Sequence, residues 1–220
     1  MIHDIKFKNT QAYLLKDIDL TLEQCEFQIK KIDYEFFYEP YKHIKEEKAE
    51  NTKFPSIIYA FYSLVFSSNQ VPAPQILIDT YFSLYSGQIQ YDGETVFYAG
   101  QTFKKSAVIG RILRTYPSLV RDLHFYLMLV QAHCFDEVIY SCKTDVSGKD
   151  ILIRHNHKEY ELSLYVDTTR SRKFKSIKNL FRHNYNNEIK LPLSLNSARK
   201  IGDFFVYSQK DIQTVKQQVV

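Results

Sequence analysis

The sequence contains few of the residues that cross-link a chain or break up its regular structure. Its 220 residues include three cysteines, six glycines, six prolines and no tryptophan. Cys25, Cys134 and Cys142 are odd in number, widely spaced and free of any CxxC pair, which argues against a disulfide framework and a zinc site. The scarcity of glycine and proline argues against long flexible linkers. We therefore expect a folded protein of a reducing compartment.

Export signals and long apolar runs are also missing. Residues 1–6 do not show the charged-then-apolar order of a signal peptide. The longest apolar run, 54–66, is interrupted by Pro55, Ser56 and Ser63 and is shorter than the roughly 20 residues that cross a bilayer. The sequence predicts a cytoplasmic protein with no membrane partner.

Several common catalytic signatures are absent. The chain has no GxSxG, P-loop, GxGxxG or HExxH motif, and none of its seven histidines stands at a catalytic spacing from a cysteine. The string from His155 to His157 spells HNH, but three adjacent residues of a turn do not span a ββα-metal unit. These absences argue against the usual serine hydrolases, P-loop and Rossmann enzymes, and zinc peptidases.

Apolar periodicity predicts helices in the first half of the chain. Thr21 and Gln24 have capping-box spacing, which predicts a helix over 22–38. Pro74 and Gly87 bracket another helix, and Asp92-Gly93 predicts the turn of a hairpin. Three further helices are expected over 54–66, 103–116 and 118–134.

From residue 138 the apolar period changes to two, which is typical of strands. Alternation within 160–166 places Leu162 and Leu164 on one face and Glu161 and Ser163 on the other. The expected strands are 138–143, 151–154, 160–166, 189–191 and 204–207, with a basic helix over 174–181 and a closing helix over 211–218. The chain is thus predicted to be α+β, with a mainly helical region with one hairpin over 1–100 and an α/β domain over 101–220.

The predicted elements over 118–178 resemble the core of the PD-(D/E)XK nuclease superfamily. Their order is a helix, a strand, Gly148-x-Asp150, two further strands and a basic helix. This resemblance implies a restriction-endonuclease-like domain with a mixed central sheet. In that family an aspartate begins the second strand and an acid-x-Lys motif lies on the third. The two acids hold Mg²⁺, and the lysine positions the attacking water.

The third strand departs from the family pattern. The position expected for acid-x-Lys carries Ser163-Leu164-Tyr165, while a register two residues earlier supplies the acid Glu161 without a lysine. The resemblance then implies a metal site of Asp150 and Glu161, with Asp122 contributed by the preceding helix and Lys143 replacing the missing lysine.

Structural interpretations stand beside these functional ones. Asp150 follows a glycine, as do many turn residues that bond their own backbone. Glu161, Ser163 and Tyr165 fit the outer face of a half-buried strand, and Asp122 fits a surface pair with Arg121.

A basic segment follows the third strand and contains no acid between residues 170 and 178. Hydroxyls, guanidinium groups and amines at the start of a helix are suited to nucleic-acid phosphates, and a solvated helix face explains them equally well. The predicted phosphate contacts are Arg170, Ser171, Arg172, Lys175, Lys178 and Arg182.

Two functions are therefore expected from the sequence. The first is a nucleic-acid-binding protein, with DNA as the partner, that is either a Mg²⁺-dependent nuclease or a relative that has lost catalysis. The second is an accessory protein of a phage or mobile element, without catalysis, whose aromatic segments 34–41 and 54–66 contact a protein partner.

Overall fold

The computed structural model describes residues 18–146, 149–168 and 187–219. Its helices are α1 (Leu22–Lys31), α2 (Tyr34–Tyr38), α3 (Glu47–Asn51), α4 (Ile57–Ser68), α5 (Pro74–Leu84), α6 (Lys105–Gln131), α7 (Cys142–Val146) and α8 (Gln209–Gln218). Its strands are β1 (Ile89–Asp92), β2 (Thr95–Tyr98), β3 (Gln101–Lys104), β4 (Glu137–Ile139), β5 (Ile151–His155), β6 (Lys158–Val166), β7 (Glu188–Leu193), β8 (Arg199–Ile201) and β9 (Phe204–Val206). The α+β class is confirmed. None of the helices formed by the described residues has the length and apolarity that a bilayer crossing requires.

The first predicted helix is divided into two. The capping box is confirmed, because Thr21 Oγ1 accepts from the Gln24 amide at 3.2 Å and Gln24 Oε1 accepts from the Thr21 amide at 3.0 Å. The helix ends at Lys31, since Ile32 is extended and Asp33 caps α2 by accepting from the Phe36 amide at 3.2 Å. The helix predicted over 22–38 therefore ends early, because Asp33 inside this range caps a second helix, which the apolar periodicity does not show.

Helix α6 forms one continuous element where two helices were expected. Pro117 lies inside it, although proline removes a backbone hydrogen bond from a helix interior. The helix packs against α1, α5, β4 and β9, and Tyr116 beside the proline donates to the Pro72 carbonyl at 2.7 Å. This surrounding packing stabilises the helix despite the proline.

Two sheets follow from the pairing of the strands. Strands β1, β2 and β3 form an antiparallel sheet, and the pairing of Asp92 with Thr95 makes Gly93 and Glu94 the turn residues, one position later than predicted. The second sheet has the order β4-β5-β6-β7, with β6 parallel to β7 and the other neighbours antiparallel. This second sheet is mixed, and β8 and β9 form a separate hairpin.

Two expectations about the strand region were wrong. The predicted strand 138–143 ends at Ile139. Ser141 instead immediately precedes α7, and its hydroxyl accepts a hydrogen bond from the Thr144 amide at 3.2 Å. Strand β6 is buried on both faces, because Glu161 is only 9% and Ser163 only 3% exposed. These two side chains therefore do not form an outer, solvated face.

The core is a single cluster of buried side chains that extends from Leu20 to Val219. The predicted boundary near residue 100 stays a prediction. Two of the three thiols lie in this core, and burial raises the pKa of Cys25 and of Cys142 to about 12. Cys134, just beyond α6, is half-buried.

A buried histidine joins three elements. His124 of α6 is fully buried, and its Nε2 lies 3.1 Å from Glu26 Oε1 on α1. Arg199 of β8 holds the same carboxylate with two bonds of 2.7 and 2.9 Å. Burial lowers the pKa of His124 from its ordinary value of 6.5, against the opposing effect of Glu26.

We expect stability to fall as the pH drops through the range in which histidine normally titrates. His124 is protonated in the unfolded chain below pH 6.5, whereas it resists protonation in the folded chain. Its contribution to the free energy of unfolding is therefore complete above that pH and is lost below it. The free energy of unfolding, measured with urea between about pH 7.5 and about pH 5.5, should decrease more in the wild type than in His124→Gln. Equal slopes in the two proteins would contradict this role.

Gly202 provides a second test of the fold. Its φ is +55°, and a Cβ placed there would lie 3.1 Å from the Ile29 carbonyl oxygen of α1. We expect Gly202→Ala to lower the free energy of unfolding by about 2 kcal/mol, because of backbone strain and this contact. Gly87→Ala, where a Cβ meets nothing within 4 Å, is the matched control and should change stability by less than about 0.5 kcal/mol.

Candidate active site

The chain that enters β5 is held by backbone hydrogen bonds to α7 and to β6. Lys149 donates its amide to the Thr144 carbonyl at 2.9 Å, and Asp150 donates its amide to the Leu162 carbonyl at 3.1 Å. The Asp150 carboxylate accepts a short hydrogen bond from the Leu164 amide. This carboxylate is therefore held against the neighbouring strand, which is more than a local turn residue would require.

An ion pair connects Lys149 with Glu161 of β6. Their side chains are 22% and 11% exposed, so this contact lies largely out of solvent. The sequence interpretation assigned the missing lysine to Lys143, which lies in α7; the position of its side chain is not described. Lys149 is the lysine that contacts the candidate acid, and its place beside Asp150 in the Gly148-x-Asp150 motif was the signal that was missed.

Polar groups continue from β6 onto β7. Ser163 donates its hydroxyl to Glu188 Oε1 at 2.8 Å, and Glu188 Oε2 lies 3.5 Å from Lys190 Nζ. The parallel register places Glu161 opposite Glu188 and Ser163 opposite Lys190. Glu188 and Lys190 were not among the predicted site residues, because the sequence does not reveal which strand pairs with β6.

Asp122 reaches this region from α6. It is 8% exposed and its Oδ1 lies 3.9 Å from Nε of the equally buried Arg121, so the expected surface pair is instead a buried one. Burial raises the pKa of Tyr207, and the charges of Asp122 and Asp150 raise it further. The Tyr207 hydroxyl donates to the Leu191 carbonyl at 2.9 Å and accepts from the Tyr165 amide at 3.1 Å. Asp122 and Asp150 thus act on one phenol between β6 and β7.

Tyr140 is a second phenol on which the charges of these acids act. Its pKa is raised well above the ordinary value by burial, and then by the charges of Asp145, Asp122 and Asp150. Its ring stacks on Tyr62 with centroids 4.5 Å apart. The charges of Asp122 and Asp150, which are 28 positions apart in the sequence, thus act on the Tyr140 phenol as well as on Tyr207.

The donor types suit magnesium, since Mg²⁺ is bound by carboxylate oxygens and keeps several waters. Within 18–146, 149–168 and 187–219 there is no group of three or more His, Cys, Asp or Glu side chains placed to hold one metal ion. A magnesium site here therefore depends on Asp150 and Glu161, and a metal at Glu161 would compete with the Lys149 ammonium.

The predicted phosphate contacts belong to the segment that connects β6 with β7. Arg170, Ser171, Arg172, Lys175, Lys178 and Arg182 lie outside the described residues. Their role stays a prediction.

Comparison with known proteins identifies no relative of this chain. No protein-family description, curated protein sequence or solved structure matches it.

The Lys149–Glu161 pair can be tested by a double-mutant cycle. Either Lys149→Met or Glu161→Gln should lower the free energy of unfolding by about 1–2 kcal/mol, because each leaves a largely buried group without its partner. The double variant should lose less than the sum, with a coupling energy of about 1 kcal/mol in urea unfolding. The exposed pair Lys42 and Glu39, 3.4 Å apart, is the control and should couple by less than about 0.5 kcal/mol. Additive losses at Lys149 and Glu161 would contradict the contact.

Proposed function

We propose that this chain is a nucleic-acid-binding protein whose second half is a PD-(D/E)XK-like domain that hydrolyses phosphodiester bonds with Mg²⁺. One observation carries the proposal: Lys149 contacts the buried Glu161 while the adjacent Asp150 is held against the same strand. The two acids on neighbouring strands match the resemblance, whereas the lysine comes from the start of the second strand instead of from the third.

The order of the elements supports the same proposal. Helix α6 is followed by the antiparallel strands β4, β5 and β6, which is the order that the resemblance implies. The acids occupy the expected elements, with Asp122 on the helix, Asp150 entering the second strand and Glu161 on the third. The short helix α7 between β4 and β5 is an addition to that order.

Each group has a role in this hydrolysis. Bound Mg²⁺ would stabilise the charge that builds on the phosphoryl oxygens. Asp150 and Glu161 would hold it, and Asp122 would add negative charge from the helix side. Lys149, once it leaves Glu161, would donate hydrogen bonds to the attacking water or to a phosphoryl oxygen. The water oxygen bonds to phosphorus, the bond to the leaving oxygen breaks, and the proton of the water passes to solvent or to the leaving oxygen.

The basic segment provides the proposed binding contacts with the substrate. Lysine and arginine bind phosphates and release counterions, which makes the affinity depend on salt but not on base sequence. Arg170, Arg172, Lys175, Lys178 and Arg182 would track the backbone of DNA while the scissile phosphate reaches Asp150.

Binding is tested first, by retardation of labelled DNA and RNA at two salt concentrations. We expect retardation at low salt that weakens at high salt. The variant Arg172→Ala/Lys175→Ala should lose affinity and reduce the salt slope by about two. The matched control is Lys30→Ala/Lys31→Ala at the exposed end of α1. Absence of retardation at low salt would refute nucleic-acid binding.

Cleavage is tested next, with supercoiled and single-stranded DNA in Mg²⁺ or Mn²⁺. Asp150→Ala and Lys149→Met should each lower the nicking rate by about 100-fold or more, because each removes a group that acts on the reacting phosphate. Asp92→Ala in the β1–β2 turn region and Lys216→Met on α8 are the controls. Binding without metal-dependent nicking would identify a binding module that has lost catalysis.

A further inference from the structure

A cleft in the helical half lies outside the proposed catalytic region. It has a volume of about 560 Å³ and is lined in part by Gln75, Asp79 and Phe82 of α5, with Tyr41, Tyr91 and Lys105 around them. A second cleft of about 470 Å³ shares Tyr41 and Gln75 with the first and extends to Phe36 and Pro40. The two clefts therefore adjoin, and we name them together the α5 groove.

Exposed aromatic rings lie at both ends of the α5 groove. Phe36 is 78% exposed at one end, and Tyr91 is 53% exposed at the other. Phe82, which is only 6% exposed, lines the same cleft as Tyr91 and meets its ring edge-on, with centroids 5.4 Å apart. Exposed aromatic rings of this size are typical of the centres of protein interfaces.

The charges in the groove indicate what kind of segment fits. The Asp79 carboxylate accepts from the Gln75 side-chain amide at 2.8 Å and, among the described residues, makes no ion pair. Glu39 in the other cleft is paired with the exposed Lys42, at 3.4 Å. Lys105 lies over the Tyr91 ring, 4.3 Å from its centroid. The Asp79 carboxylate, which shares its cleft with the Lys105 ammonium, can therefore accept a cation from a ligand.

The division of the α5 groove into two adjoining clefts favours a peptide over a small molecule. Two clefts that meet at Tyr41 and Gln75 accommodate several successive residues, whereas one compact ligand would fill only one of them. Side chains of a bound segment would enter separate apolar pockets, as in known modes of peptide recognition.

We propose that the α5 groove binds a protein partner through a peptide segment that combines apolar side chains with a lysine or arginine. The apolar side chains pack against Phe36, Phe82 and Tyr91, and the basic side chain pairs with Asp79. This activity is independent of phosphodiester hydrolysis, so loss of one leaves the other intact. Of the two aromatic segments considered from the sequence, 34–41 thus contributes to a surface, whereas Phe61, Tyr62 and Phe66 of 54–66 are core residues.

The test uses a phage-displayed library of random dodecapeptides panned against the immobilised full-length chain. We expect enriched peptides to combine an aliphatic or aromatic residue with a nearby lysine or arginine. The affinity of a synthetic copy, measured by fluorescence anisotropy, should fall at least about tenfold with Asp79→Lys and with Phe36→Ala. Asp79→Asn should weaken it by a smaller factor, since it removes the charge but keeps the shape.

Matched controls distinguish binding in the α5 groove from nonspecific binding to exposed aromatic side chains. Phe27→Ala removes another exposed phenylalanine, 59% exposed on α1, and should leave the affinity unchanged. Circular dichroism melting should show that the variants, all at exposed positions, remain folded. Failure to enrich a peptide, or binding that is insensitive to Asp79→Lys, would overturn the proposal. Competition by oligo(dT) that depends on Phe36 and Tyr91 would also overturn it, in favour of a single-stranded nucleic-acid surface.

Discussion

Burial of α6 is the constraint on which the rest of the structure depends. This helix packs against α1, α5, β4 and β9, so elements from both halves of the chain bury their apolar faces on it. Leu113, Val120 and Leu123 along it are inaccessible to solvent. Because one side of the helix is enclosed, a polar group on that side must find a partner inside the protein. His124 finds one in Glu26, and Asp122 lies beside Arg121.

The same requirement shapes the candidate site. Strand β6 is covered on both faces, and its charged residue Glu161 is stable there because Lys149 reaches it from the start of β5. Ser163 is accommodated in the same way through Glu188 of β7. A buried polar row of this kind costs desolvation energy that apolar residues would avoid, which is the physical reason for the functional role that we propose for it.

Local patterns made much of the fold predictable. The capping box at Thr21, the helix that begins at Pro74 and the strands around Asp150 and Glu161 all follow from short-range chemistry. The predictions failed where contacts between residues far apart in the sequence determine the structure. Pro117 suggested a break that packing around α6 removed, and the burial of Asp122 arises from elements far away in the sequence. Lys149 was available in the motif, but its contact with Glu161 depends on the register between β5 and β6, which no single strand specifies.

The three cysteines described earlier have an experimental consequence. At neutral pH, thiols with a pKa of about 12 are almost entirely protonated, so Cys25 and Cys142 are poor nucleophiles as well as enclosed ones. Cys134 is partly accessible just beyond the end of α6. A maleimide dye or spin label should therefore attach to the natural protein at one position, reporting on the far end of the central helix without any engineered residue.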